Sequence, residues 1–217
     1  MVKKNLDFEL SLWKNCPLIA GVDEAGRGAL AGPLVIASVI LPSYSQSLLI
    51  QDSKILSPLQ RLKAYQWVKK NALEYKIILQ SPRQVEQKNP LQATKEAMRE
   101  AILRLKNRPD LCLVDGKEEI KIEKVATQNL IGGDRKSINI AAASIMAKVS
   151  RDAIMRRLHE KFPYYDWFNN KGYPNPTHIA AIFKYGVCEL HRKTYEPIKS
   201  LLMGKSKQEL YQKYKLN

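Results

Sequence analysis

The chain has 217 residues and a formal net charge of +15, from 36 Lys and Arg against 21 Asp and Glu. Its hydrophobic content of 45% is ordinary for a globular protein, and this length allows one large or two small domains. The excess of basic residues favours a polyanionic partner such as a nucleic acid. The cysteines, Cys16, Cys112 and Cys188, are far apart in the sequence, which argues against a disulfide framework and against a thiolate metal site.

No stretch of the sequence is apolar for long enough to span a bilayer. The first five residues, Met-Val-Lys-Lys-Asn, are followed by no unbroken apolar run of the kind that a signal peptide contains. We therefore expect a cytoplasmic protein without a membrane partner.

The first predicted element is a strand over Leu18 to Val22 that leads directly into Asp23-Glu24-Ala25-Gly26-Arg27-Gly28. A second strand over Leu34 to Leu41 is expected to pair with it in antiparallel fashion. Two carboxylates in fixed positions, followed by glycines that let backbone N–H groups approach a ligand, suit a metal site beside a polyanion. A solvated turn explains the same six residues equally well.

The middle of the chain alternates helices with strands. In chain order we predict a loop at Asp52-Ser53-Lys54, a helix from the N-cap Ser57 to about Ala72, a strand over Tyr75 to Leu79, a helix over Gln92 to Lys106, and a strand over Leu111 to Val114 that ends at Asp115-Gly116. The helical period of the second helix predicts that Ala93, Ala97, Ala101, Ile102 and Leu105 face inward.

The last third of the chain is predicted to be mainly helical. Val125 to Ile131 leads into a polar segment, and a long helix with an alanine-rich start runs from Ile138 to about Lys161. Pro163 to Thr177 is predicted as a loop, followed by helices over His178 to Tyr185 and Lys205 to Tyr214. We therefore expect one α/β domain over residues 1–217, with a mixed sheet flanked by helices and a helical C-terminal extension from about residue 163.

Four acidic residues fall at comparable places in these elements. Asp23 and Glu24 end one strand, Asp115 ends another, and Asp134 lies just before the long helix, so a mixed sheet can bring all four to one edge. Carboxylates without His or Cys suit Mg²⁺ or Mn²⁺ rather than zinc. Taken singly, Asp115-Gly116 is an ordinary turn and Asp134 a helix-start residue. The expected convergence of all four acidic residues at one edge of the sheet favours a metal site.

Motifs spread through most of the chain resemble the bacterial ribonuclease HII family. They are the opening signature Gly21 to Gly28, the loop Asp52-Ser53-Lys54, Asp115-Gly116, the helical segment Ala141 to Asp152, Lys171-Gly172-Tyr173, and His191-Arg192. The resemblance implies an RNase H-like fold and hydrolysis of the RNA strand of RNA–DNA hybrids. It also implies cleavage on the 5′ side of single ribonucleotides in duplex DNA, giving 3′-hydroxyl and 5′-phosphate ends, with roles in ribonucleotide removal and RNA primer removal.

The same resemblance implies roles for individual residues. The catalytic ligands of two divalent cations, Mn²⁺ or Mg²⁺, would be Asp23, Glu24, Asp115 and Asp134, with Asp152 as the rival for the fourth position. The substrate-binding residues would be Gly26, Arg27 and Gly28, whose backbone contacts the ribonucleotide and its 2′-hydroxyl, and Tyr173, which stacks on the following deoxynucleotide sugar. Lys54 is a further candidate for substrate binding.

Two positions depart from the family pattern. Asn175 stands where the family usually has threonine, and Ile55 replaces the second lysine that commonly follows Lys54. The loop after Tyr173 is therefore expected to differ locally, and Ile55 weakens the case for a phosphate grip by two cations.

Two alternative functions stay open. An RNase HIII-type enzyme prefers hybrid tracts and typically carries an N-terminal substrate-binding domain, for which the roughly two dozen residues before Asp23 are too few. A noncatalytic nucleic-acid-binding module would bind hybrids without cutting them. The expected partners are an RNA–DNA hybrid and ribonucleotide-containing duplex DNA. We expect a monomer, and contact with a sliding clamp is left open.

Overall fold

The computed structural model describes residues 7–214, so the N-terminal residues considered above as a signal peptide lie outside the described part. The strands are β1 (Ile19–Ala25), β2 (Leu34–Ile40), β3 (Glu74–Gln80), β4 (Leu111–Asp115) and β5 (Ala126–Leu130). The α-helices are α1 (Asp7–Leu12), α2 (Pro58–Asn71), α3 (Pro82–Lys88), α4 (Pro90–Leu103), α5 (Ile138–Lys161), α6 (Trp167–Asn170), α7 (Pro176–Tyr185), α8 (Ile198–Leu202) and α9 (Lys207–Lys213). Two 3₁₀ helices cover Gly133–Arg135 and Pro163–Tyr165.

The predicted strands and the long helix are confirmed to within a few residues, but the short helices α1, α3 and α8 were missed. The prediction of a loop over Pro163 to Thr177 was wrong, because this segment contains a 3₁₀ helix, α6 and the start of α7. Helices of four to seven residues span too few turns to show a hydrophobic period. Helix α3 nevertheless has a readable start, since Ser81 and Gln84 form the same capping box that opens α2 at Ser57.

The five strands form one mixed sheet in the order β3-β2-β1-β4-β5. Strand β1 pairs antiparallel with β2 and parallel with β4, and β4 pairs parallel with β5. In the β1–β4 register Val22 lies beside Val114. The next residues, Asp23 and Asp115, therefore lie at the same carboxyl-terminal edge of the sheet.

The chain forms two compact units. The first contains its described residues up to Ala25, together with Val35–Leu79 and Thr94–Ser150, and so holds nearly all of the sheet. The second contains Gly26–Leu34, Gln80–Ala93 and residues from Arg151 onward. The expected single domain over residues 1–217, with an extension from 163, stays a prediction.

In the first unit, the start of α5 packs closely on β1. A Cβ atom at Gly21 would lie 2.0 Å from the carbonyl carbon of Asn139, so only glycine permits this approach. The buried Glu9 side chain accepts hydrogen bonds from Ser137 Oγ and from Asn139 Nδ2, the latter at 2.7 Å. Asn139 Oδ1 in turn accepts from the Leu41 amide at 2.8 Å. These bonds fix the N-terminal end of α5 against β2.

The second unit has its own hydrophobic core. The buried residues that form it include Leu30, Met155, Tyr165, Trp167, Ile182, Phe183, Ile198 and Leu210. Its aromatic members are in contact, since the rings of Tyr165 and Trp167 stack with their centroids 5.1 Å apart. Within residues 7–214, no helix is both long and apolar enough to cross a membrane.

Candidate active site

The four predicted metal ligands all lie in the first unit, at the carboxyl-terminal edge of β1, β4 and β5. Asp23 and Glu24 are in β1, and Asp115 is the last residue of β4. Asp134 lies in the 3₁₀ helix that follows β5. The Gly133 amide donates a 2.7 Å hydrogen bond to Asp115 Oδ1, which holds the turn carrying Asp134 next to the end of β4.

These carboxyl groups repel one another. Asp23 is only 7% exposed, and its pKa is raised well above the usual value by burial, then by the charges of Glu24 and Asp115. Burial also raises the pKa of Asp134. The charge of Asp52 raises this pKa further, whereas the charge of Lys54 lowers it. The first unit therefore concentrates negative charge at one edge of the sheet, although the chain as a whole is strongly basic.

A chain of hydrogen bonds links Asp23 to the Asp52-Ser53-Lys54 loop. Asp23 accepts a hydrogen bond from the Ser144 side chain on α5, and Ser144 Oγ lies 3.0 Å from Ser53 Oγ. Arg61 on α2 fixes this loop by donating to the carbonyls of Ser53 at 2.7 Å and Leu56 at 2.6 Å. Sequence reasoning gave Ser53 and Ser144 no individual role, because 91 residues separate them along the chain.

Lys54 belongs to the same cluster of charges. Its Nζ atom lies 3.6 Å from Asp134 Oδ2 while its side chain stays 81% exposed. Asp134 is also the main cause of the raised pKa of Lys54. The next residue, Ile55, is 69% exposed, so the hydrophobic departure from the family pattern faces solvent.

The donor set suits a hard divalent cation, because it offers several mutually repelling carboxylates and no thiolate or imidazole. In the described part of the chain, however, no three His, Cys, Asp or Glu side chains are grouped so that they could hold a metal ion. Two of the carboxylates accept hydrogen bonds from backbone amides instead: Asp23 Oδ1 from Glu24 at 2.7 Å, and Asp115 Oδ1 from Gly133. The chemistry of the donors fits a cation, and binding requires the side chains to reorient.

The predicted substrate-binding residues other than Lys54 lie in the second unit. Arg27 and Gly28 are exposed, whereas Gly26 is buried with a φ of +91°. A Cβ atom at Gly26 would lie 2.0 Å from Arg151 Nε, while one at Gly28 would meet nothing within 4 Å. The half-buried ring of Tyr173 has its centroid 5.0 Å from Arg151 Cζ, in cation–π geometry.

The chain after Tyr173 is held by α7. Asn175 is the N-cap of this helix, since its side chain accepts a 2.8 Å hydrogen bond from the His178 amide. Asparagine and threonine are both favoured N-caps, which explains how Asn175 fills the family's threonine position. His178 Nδ1 lies 3.0 Å from the Tyr173 carbonyl oxygen and so fixes the main chain of the tyrosine.

Asp152, the rival to Asp134, belongs to the second unit. Burial lowers the pKa of Arg151 to about 10, and the negative charge of Asp152 partly offsets this fall. The other three predicted ligands lie in the first unit, together with Asp134.

Sequence and structural relatives show which family the chain belongs to. The family model described as Ribonuclease HII matches residues 20–197. A ribonuclease HII of Mycoplasma mycoides subsp. mycoides is 46% identical over 200 residues, which is 92% of this chain and 96% of the relative. The ribonuclease H2 structure from Pyrococcus horikoshii has a TM-score of 0.72 at 26% identity, covering 92% of this chain and 100% of that one. RNase HII of Archaeoglobus fulgidus, solved in complex with PCNA, also has a TM-score of 0.72, at 28% identity, covering 88% and 99%.

Proposed function

Because the chain belongs to the ribonuclease HII family, a family of metal-dependent endoribonucleases that act on RNA–DNA hybrids, we propose that it also cuts duplex DNA on the 5′ side of single embedded ribonucleotides. The products would carry 3′-hydroxyl and 5′-phosphate ends. Such cuts would serve ribonucleotide removal from DNA and RNA primer removal. The family match favours this function over the RNase HIII-type alternative.

The observation that carries the proposal is the carboxylate cluster at the edge of the sheet. Asp23, Glu24, Asp115 and Asp134 would hold two divalent cations, Mg²⁺ or Mn²⁺. When bound, such cations would activate the attacking water and stabilise the leaving oxygen of an in-line displacement. The repulsion that raises the pKa of Asp23 and of Asp134 supports this role, because a cation would relieve it.

The protein's own groups would orient these ligands. The Ser144 hydroxyl, in contact with Ser53, would hold one Asp23 oxygen, and the Gly133 amide would hold one Asp115 oxygen. Lys54 would neutralise Asp134 until substrate phosphate or a cation competes for it.

Selection of a ribonucleotide needs groups that sense one 2′-hydroxyl, since this group alone distinguishes RNA from DNA at a given site. We assign this task to the backbone of Gly26, Arg27 and Gly28 and to Tyr173. The exposure of Arg27 and of Gly28, which has no side chain to cover its backbone, supports the assignment. Tyr173 offers both a ring for stacking and a hydroxyl for hydrogen bonding.

Location and partners follow from the proposed substrate. Bacterial DNA lies in the cytoplasm, so we place the activity there, in a protein that works as a monomer. Contact with a sliding clamp is a further proposal, prompted by the PCNA complex of the Archaeoglobus relative.

The test is a cleavage assay with three labelled substrates. Duplex DNA with one ribonucleotide, an RNA–DNA hybrid and an all-DNA duplex would each be incubated with Mg²⁺, with Mn²⁺ or with chelator. We expect metal-dependent cutting of the first two, a single cut 5′ of the lone ribonucleotide, and a 3′ end that a polymerase extends. Cutting of the hybrid alone would support an RNase HIII-type enzyme. Binding to both without any cutting would support a noncatalytic module.

A further inference from the structure

Two buried arginines bind the backbone of one short segment of the second unit. This segment, residues 26–33, contains Gly26, Arg27 and Gly28 and is called the recognition loop below. Arg192 donates from Nη1 to the Arg27 carbonyl at 2.8 Å and from Nη2 to the Gly32 carbonyl at 3.0 Å. Arg151 donates from Nη2 to the Ala31 carbonyl at 3.1 Å and from Nε to the Pro33 carbonyl at 2.9 Å.

Arg192 binds the recognition loop at Arg27, one of the residues proposed to contact the ribonucleotide. The carbonyl of Arg27 accepts a second hydrogen bond, from the Tyr195 hydroxyl at 2.9 Å, and this hydroxyl lies 3.2 Å from Arg192 Nη1. The guanidinium also lies over the Tyr195 ring, 5.2 Å from its centroid. Tyr195 thus acts with Arg192 on the same carbonyl.

Arg151 connects the loop to Tyr173. Its guanidinium binds the loop carbonyls and also lies over the tyrosine ring. The backbone makes the same connection, since the amides of Leu30 and Ala31 donate to the carbonyl of Gly172, at 2.8 and 3.2 Å. The loop and the tyrosine therefore belong to one hydrogen-bonded frame.

Arginine is suited to this task. Its planar, rigid fork can serve two carbonyl oxygens at once, whereas a lysine ammonium is a single flexible point of donation. Both guanidinium groups are fully buried, and burial is the main cause of the lowered pKa of each. Buried charged groups that donate to backbone carbonyls are held in one orientation, because leaving those donors unmade is costly.

We propose that Arg192, with Tyr195, and Arg151 are positioning residues that fix the recognition loop and Tyr173 in the geometry that selects a single ribonucleotide. This proposal rests on the proposed function. It gives a role to the arginines of two sequence motifs, the α5 segment and His191-Arg192, which the metal site and the substrate contacts leave unexplained.

The test compares Tyr195→Phe with Tyr165→Phe. The first removes one hydroxyl that donates to the loop carbonyl of Arg27, and the second removes one that donates to the Gly186 carbonyl at 2.8 Å, outside the loop. Arg192→Lys is the stronger variant. For each, kcat and KM would be measured on the single-ribonucleotide duplex and on a continuous hybrid, and amide hydrogen exchange would be followed in a peptide covering residues 26–33.

We expect Tyr195→Phe to lower kcat/KM on the single ribonucleotide by about 2- to 10-fold, the worth of one hydrogen bond, with a smaller loss on the hybrid and faster exchange in the loop. Arg192→Lys should do the same more strongly, and Tyr165→Phe should leave both the ratio of the two activities and the loop exchange unchanged. If Arg192→Lys does not fold, the result for Tyr195→Phe alone tests the positioning role.

Two results would overturn the proposal: an unchanged activity ratio in folded Tyr195→Phe, or an equal change of that ratio in Tyr165→Phe, which would mean a general loss of stability. Failure of the proposed function would look different. The wild-type protein would then cut neither substrate, while hydrogen exchange would still report whether Tyr195 restrains the loop.

Discussion

Gly26 and Gly28 are two residues apart but are constrained in different ways. Gly26 has a positive φ and packs against Arg151, so the protein itself requires a glycine there. A side chain at Gly28 would meet no protein atom within 4 Å. If Gly28 has to be a glycine, the reason lies in a ligand.

Gly28→Ala should therefore separate folding from function. We expect an unchanged melting temperature and a loss of roughly 10- to 100-fold in cleavage at a single ribonucleotide, since small misplacements of a substrate cost this much. Melting followed by circular dichroism, beside the cleavage rate, checks both parts. Full activity in the variant would mean that the substrate does not approach Gly28 closely.

Tyr173 gives a second test at the scale of single residues. Tyr173→Ala should lose roughly 5- to 150-fold in cleavage at single ribonucleotides, which corresponds to about 1–3 kcal/mol of stacking. Tyr173→Phe should fall between wild type and Tyr173→Ala. Cleavage within a continuous RNA tract should suffer less, because neighbouring ribonucleotides offer further 2′-hydroxyl contacts. Wild-type rates for Tyr173→Ala on the single-ribonucleotide duplex would make the tyrosine a packing residue.

Single residues also show where sequence reasoning stops. The positions of Asp23 and Asp115 could be predicted, because each ends an apolar run and parallel strands end at one edge. The contact of Ser53 with Ser144 could not, since 91 residues separate the two hydroxyls and only tertiary packing brings them together.

At the scale of elements, two buried histidines lie next to the main chain of Tyr173. His178 belongs to α7, and His191 follows that helix along the chain. Trp167 Nε1 donates to His178 Nε2 at 2.9 Å, so the proton of His178 lies on Nδ1 and is donated to the Tyr173 carbonyl. The Cys188 amide donates to His191 Nδ1 at 3.0 Å, which leaves the His191 proton on Nε2, 3.2 Å from His178 Nε2. Both rings are therefore neutral.

This arrangement predicts a loss of stability in acid. Burial lowers the pKa of His178 to about 4 and is the main cause of the fall for His191 to about 3. The unfolded chain takes up these protons near pH 6.5 and the folded chain does not, so the stabilisation is complete above about pH 6.5 and is lost as the pH falls toward 4 and 3.

His178→Asn isolates this effect, because asparagine keeps a donor for the Tyr173 carbonyl and does not titrate. The unfolding free energy of wild type should fall more steeply than that of the variant below pH 6.5, with a difference approaching about 1.4 kcal/mol per pH unit. Urea denaturation at several pH values between 7 and 4 measures both slopes. Equal slopes would show that His178 does not stay neutral in the folded state. Titrating groups that do not interact with His178 contribute equally to both slopes and cancel in the comparison.

The elements themselves were predictable to different degrees. Helix α2 could be placed from its Ser57 cap and Pro58, and α5 from its length and alanine-rich start. Helices α6 and α8, of four and five residues, could not be, because the packing of the second unit rather than local propensity supports them.

At the scale of the whole molecule, charge is the feature that the sequence predicts most directly. The chain carries a net charge of +15, yet its first unit gathers carboxylates at the edge of the sheet. A basic chain attracts a polyanion, and a local acidic cluster suits a cation that works on it.

Substrate binding should therefore depend steeply on salt. Each phosphate that a Lys or Arg neutralises releases counterions, so affinity for a ribonucleotide-containing duplex should fall by more than about 10-fold between roughly 50 and 200 mM salt. Fluorescence anisotropy in chelator, which prevents cleavage, gives the dissociation constants. An affinity that does not change over this range would contradict binding through the basic surface.

The central claim is that the carboxylates at the sheet edge hold the cations for cleavage. Its most direct measurement is the rate of cutting of a single-ribonucleotide duplex by wild type, Asp23→Asn and Asp115→Asn over a series of Mg²⁺ and Mn²⁺ concentrations. Circular dichroism in metal-free buffer is the control for folding. There Asp23→Asn should be at least as stable as wild type, because it removes a buried charge that its neighbours repel.

We predict that both variants stay folded and lose more than about 100-fold in rate with either ion, because even an outer partner of a metal ligand is worth roughly 10- to 100-fold. Near-wild-type rates from either folded variant would contradict the assignment of the metal site.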